Sequence, residues 1–188
     1  MQSKIKLYFL LIAIASLFNC IGIRTPNVEK ILQAKQGVLD LREWNFGIDG
    51  VAFINGEWEY FPEQFESLSF KEGENKKFYS IGKVNFQNQV SSSYASFKLK
   101  VILPDVLPDK PLYIKVSSIN SAYSLLLKDK IISALGNIGK SRLDSTPWMG
   151  IDIASLPSDS KELDFTLQIS DFYSNKNYIS GNLEIGTL

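Results

Sequence analysis

Histidine is absent from these 188 residues, and cysteine occurs once. Without an imidazole there is no Ser-His-Asp triad and no histidine-ligated metal. With a single thiol there is no multi-cysteine zinc site and no disulfide within the chain. Net charge is missing too, since 20 lysine and arginine residues balance 20 aspartate and glutamate residues. Such a chain lacks the basic excess that phosphates attract, so no nucleic-acid partner is expected. Internal repeats and low-complexity tracts are also lacking. What the chain does have is apolar mass, 45% hydrophobic and 12% aromatic side chains, enough to build a core.

Lys4 and Lys6 precede an apolar run from Leu7 to Phe18, interrupted by Ser16 alone. As a helix that run rises ~18 Å, well short of the ~30 Å hydrocarbon core, so it reads as an export signal. It ends Leu17-Phe18-Asn19-Cys20, where the sole cysteine follows the signal with a leucine three positions before it. This resembles a relaxed bacterial lipobox, with Asn19 where a small residue is usual. The resemblance implies cleavage before Cys20, acylation of its thiol and new amino terminus, and a membrane tether that does not span. An uncleaved signal anchor, or a cut near Ala15 that leaves Cys20 free, is the competing reading. Loss of residues 1–19 removes Lys4 and Lys6 and leaves a net charge of −2. The expected organisation is a signal peptide at 1–19, a tether at 20–36 and a body at 37–188.

In the body the hydrophobic period is two. Phe97, Leu99, Val101 and Leu103 alternate with Lys98, Lys100 and Ile102. The same holds for Leu112–Ser117, for Tyr123, Leu125 and Leu127, and for Leu163, Phe165, Leu167 and Ile169. Alternation of this length predicts half-buried strands, and the separators carry turn residues such as Pro104-Asp105, Gly136-Asn137 and Pro157-Ser158. No stretch after residue 36 sustains a helical period. Several short strands between turns predict an all-β, antiparallel sandwich.

Three constellations are candidates for chemistry. Ala134 to Ser141 fits a permissive phosphate-loop pattern ending Gly139-Lys140-Ser141, but Pro147 follows closely, so a polar loop between strands is expected instead. Glu57, Glu59, Glu63 and Glu66 form an acidic cluster. Paired carboxylates across a cleft could hydrolyse a glycosidic bond. On a strand, however, Glu57 and Glu59 share one face and Trp58 and Tyr60 the other, the pattern of a solvated face opposite a buried one. The aromatics from Trp44 to Phe65, Phe53 and Trp58 included, are expected mostly as core. Trp148, in a loop after a proline, together with Tyr123 and Lys140, forms the candidate ligand-binding set. No catalytic residue, metal or cofactor is expected, and the chain is read as non-enzymatic.

Gly37-Val-Leu-Asp-Leu-Arg-Glu-Trp44 and Gly50-Val-Ala-Phe-Ile-Asn-Gly-Glu-Trp-Glu-Tyr-Phe61 form one characteristic opening. Further on come Ser93–Pro104, Ser121–Leu127, Gly136–Ser141, Leu167–Phe172 and Leu183–Thr187. Together they resemble the extracellular sensor domain of bacterial seven-transmembrane receptors with diverse intracellular signalling modules. The resemblance implies a jelly roll like the galactose-binding-like carbohydrate modules. Where that family carries an Asn-Gly hairpin, this chain has Lys128-Asp129-Lys130, a turn without its glycine. The expected function is a lipid-anchored binding module of the cell envelope, at the inner or outer membrane. Its partner would be a small ligand, a saccharide among them, or another envelope protein. A truncated receptor sensor without independent activity is the alternative.

Overall fold

The computed structural model describes residues 32–65, 76–82, 92–117, 119–173 and 181–188, so the signal segment and Cys20 lie outside the described residues. The strands are β1 (Val38–Asp40), β2 (Ala52–Phe53), β3 (Gly56–Pro62), β4 (Phe78–Ile81), β5 (Tyr94–Ile102) and β6 (Leu112–Ser117). They continue with β7 (Ala122–Leu127), β8 (Lys130–Leu135), β9 (Ile151–Ser155), β10 (Glu162–Ser170) and β11 (Asn182–Thr187). Among the described residues there is no helix. One sheet has the order β4-β3-β5-β10-β7-β8, with β1 also paired to β5; the other has the order β2-β11-β6-β9. Every pairing between these strands is antiparallel except β1 with β5, where Val38 lies opposite Lys100. The expected antiparallel sandwich is what the chain forms.

Period-two patterning explains the layers. Phe97, Leu99 and Val101 of β5 and Leu163, Phe165, Leu167 and Ile169 of β10 face inward, buried, with Phe165 opposite Leu99. Leu112, Ile114 and Val116 of β6 and Leu183 and Ile185 of β11 meet them from the second sheet. Each such side chain contributes ~1.5–3 kcal/mol by leaving water. Trp58 is fully buried, and its Nε1 donates to the Ile54 carbonyl at 3.1 Å, so its polar atom stays satisfied.

The body begins earlier than residue 37. Ala34 is in the core, donates its N–H to the Asn55 carbonyl at 2.8 Å and accepts from the Glu57 N–H at 2.9 Å. It packs so closely on Gly56 (φ +117°) that a Cβ there would lie 2.5 Å from the Ala34 backbone. The last part of the expected tether therefore belongs to the sandwich. The β7–β8 turn forms without glycine: Leu127 pairs with Lys130, and Lys128 takes the left-handed conformation itself (φ +54°).

Two strands depart from simple alternation. On β10 the polar positions Thr166, Gln168 and Ser170 are buried along with the apolar ones. On β9 the order is inverted, with Ile151 67% and Ile153 45% exposed while Asp152 and Ala154 lie less open.

Candidate functional site

The outer face of the larger sheet is covered at one end, where Ser96, Gln168 and Ser170 are buried. Ser96 Oγ donates to the Gln64 carbonyl at 2.6 Å, and Gln168 Nε2 donates to the Phe65 carbonyl. Ser170 Oγ donates to the Gly139 carbonyl at 2.8 Å and accepts the Gly139 N–H at 2.7 Å. Residues 64–65 and the loop after β8 thus lie over this end, which is why polar side chains are buried there and why their hydrogen bonds are made inside the protein.

The other end is open and forms a groove of about 430 Å³. Its floor is Lys98 and Lys100 of β5 and Asp164 and Thr166 of β10, neighbours in register. Gln36–Val38, Glu59 and Lys76 line one side, and Lys128 and Asp129 of the β7–β8 turn the other. Strand geometry fixes these positions, because on β5 and β10 every second residue must point away from the core. Ion pairs order the side chains. Lys76 Nζ lies 3.2 Å from Glu59, and Lys100 Nζ lies 2.9 Å from Glu162 and 3.8 Å from Asp164. Glu162 and Asp164 hold the Lys100 ammonium above its ordinary pKa, the Glu162 hydrogen bond foremost. Lys98 Nζ stands 5.4 Å from the centre of the Phe61 ring. The groove therefore presents ammonium donors, carboxylate acceptors, an amide and a hydroxyl side by side on rigid backbone.

The sequence candidates fall elsewhere. Tyr123 is 1% exposed, with its hydroxyl 3.0 Å from Ser133 Oγ, so it offers no ring face to a ligand. Its expected binding role is corrected to a core one, because it shares the inward face of β7 with Leu125. Lys140 is exposed in the loop after β8 but does not line the groove. In that loop Asn137 and Thr146 exchange backbone hydrogen bonds, both at 2.9 Å, and no helix follows, so the phosphate-loop pattern is a polar loop. Trp148 is 64% exposed, as expected for a surface contact, yet it too lies outside the groove. Phe53, expected as core, is 42% exposed on the outer face of the smaller sheet. Glu57 and Glu59 sit opposite Trp58 and Tyr60 as expected: Glu57 accepts the Gln36 N–H at 3.0 Å and Glu59 pairs with Lys76. Sequence reasoning missed Lys98, Lys100 and Asp164 as a group. The signal was present as charges on the polar side of β5 and β10, but nothing local says that the two strands are neighbours.

Among the described residues no group of three or more Asp, Glu or Cys side chains could hold a metal ion. No protein-family model and no curated relative matches the sequence. Among solved structures, the Faecalibacterium prausnitzii β-glucuronidase superposes with a TM-score of 0.50 at 10% identity, over 73% of this chain and 31% of that one. A β-glucuronidase from an uncultured Clostridium sp. gives 0.49 at 12% identity, over 73% and 29%. This chain thus spans less than a third of the length of those enzymes, and the likeness to the first, at 10% identity, is one of fold alone. By sequence pattern, by structure and by comparison, the chain is an all-β, jelly-roll-like sandwich.

Proposed function

We propose that this protein is a non-enzymatic, extracytoplasmic binding module, held to a membrane of the cell envelope through acylated Cys20, that takes a saccharide in the groove of the larger sheet. The observation that carries the reading is the groove itself. Saccharide hydroxyls both donate and accept, and the groove sets Lys98 and Lys100 beside Asp164 and Thr166 in register on two central strands. Donors and acceptors on strands keep their spacing better than those on loops, which favours matching a fixed pattern of hydroxyls. The resemblance of residues 37–187 to extracellular sensor domains supports the same class of function.

A glycan array followed by calorimetry tests it. Lys98→Ala and Asp164→Ala are each expected to weaken the selected glycan about tenfold or more, the scale of a charged hydrogen bond. Trp148→Ala should leave that affinity unchanged. Full binding by both groove variants would refute the site, and an array without any bound glycan would refute the ligand class.

A further inference from the structure

The two outer faces of the sandwich differ in kind. The larger sheet displays Glu57, Glu59, Lys98, Lys100, Glu162 and Asp164. The smaller sheet places the ion pair of Lys115 with Glu184, at 3.5 Å, between apolar margins. On the β2 margin stand Phe53 and, over Gly186, Val51, 42% and 43% exposed. On the β9 margin stand Ile151 and Ile153, and the chain running into that strand exposes Trp148 by 64% and Met149 by 70%. Phe53, Glu184, Lys115 and Ile153 form one row across the sheet. Exposed apolar side chains gathered on one face mark a surface that meets something less polar than water.

We infer that this face rests on a lipid surface. The inference relies on the anchored reading above. Eleven residues lie between Cys20 and Leu32, and fully extended they reach ~40 Å, so an acylated chain keeps its body within that distance of the bilayer. The chain enters the sandwich at Ala34, hydrogen-bonded to Asn55, two residues beyond Phe53. Ala34 also bridges Gly56, the first residue of β3, so the chain enters the sandwich where it crosses from β2 of the smaller sheet to β3 of the larger. Residues 21–36 carry Arg24, Lys30 and Lys35 against Glu29 alone, a balance that anionic headgroups attract. Lys115 has an aliphatic stem to lay along the acyl boundary while its ammonium reaches the headgroups. With the smaller sheet on lipid, the groove of the larger sheet opens away from it, toward solutes.

The protein carries its own probe, because Trp44 and Trp58 are buried and Trp148 is not. The natively processed full chain is placed in phosphatidylethanolamine–phosphatidylglycerol vesicles containing brominated acyl chains. The Trp148 emission is expected to move to the blue and to be quenched, and Trp148→Phe to remove the quenched component. Phe53→Asp with Ile153→Asp should return Trp148 to a solvent-like emission while the protein still floats with the vesicles. Iodide access to Trp148 that is equal on vesicles and in detergent solution would overturn the docking face and leave the anchor standing. A native amino terminus that mass spectrometry finds without acyl chains, in a protein whose Trp148 is nevertheless quenched on added vesicles, would uphold the face and overturn the anchor. A dimer in solution that shields Trp148 and is lost in Ile153→Asp would assign the face to a second copy instead.

Discussion

The Tyr123 hydroxyl meets Ser133 Oγ at 3.0 Å, linking β7 and β8 inside the sandwich. Burial pushes the phenol above its usual pKa, so the pair stays neutral and acts as a polar rivet in an apolar layer. Tyr123→Phe strands the serine hydroxyl and should cost ~1–3 kcal/mol; adding Ser133→Ala should recover part of it. Denaturant melts of the two single variants and the double variant give the coupling. Glycan affinity should not change in any of them.

Gly56 works because it has no side chain. At φ +117°, a Cβ would strike the backbone of Ala34 at 2.5 Å. Gly56→Ala should therefore lose ~2 kcal/mol or more and expel the Leu32–Gln36 segment. Limited proteolysis would then cut after Lys35 faster than in the parent protein, which keeps this segment paired.

Asp152 guards an edge. Its Oδ1 accepts the N–H of Ile153 at 2.9 Å on the outermost strand of the smaller sheet. A capped N–H is a poor template for another chain. Asp152→Ala should free that donor beside two exposed isoleucines and promote self-association, read by light scattering as a mass that rises with concentration. Ile153→Lys in the same background should reverse it.

Asp40 and Arg42 make a side-chain pair that brings the Asp40 pKa down to about 2, the Arg42 hydrogen bonds being the main cause. A carboxylate depressed in the folded state adds stability above its unfolded pKa of about 4, and loses it as pH falls through the folded value. The contribution is small because both groups are exposed to screening solvent. Acid titration by NMR should place the Asp40 midpoint near 2. In Asp40→Asn, stability should fall less between pH 4 and about 2 than it does in the parent.

Much of this architecture was legible in the sequence, and the failures have physical causes. Strands β5, β6 and β10 announce themselves because one face is core, as Leu99, Ile114 and Leu167 show. The same rule placed Tyr123 with Leu125 on the inward side, and its nomination as a ligand contact went against its own pattern. Alternation misleads where a face has a second cover, as for Thr166 and Gln168, or at an edge, where Ile151 and Ile153 turn outward. The groove was invisible because Lys98 and Asp164 are joined only by long-range register.

That long-range register bears on how the protein comes to exist. Strand β10, residues 162–170, sits between β5 and β7, and β11, residues 182–187, sits between β2 and β6. Neither layer can close until segments made late in synthesis have been supplied, and such distant pairing is slow. A chain that assembles only after its far end emerges stays pliable in the meantime, which is what the export proposed above would need.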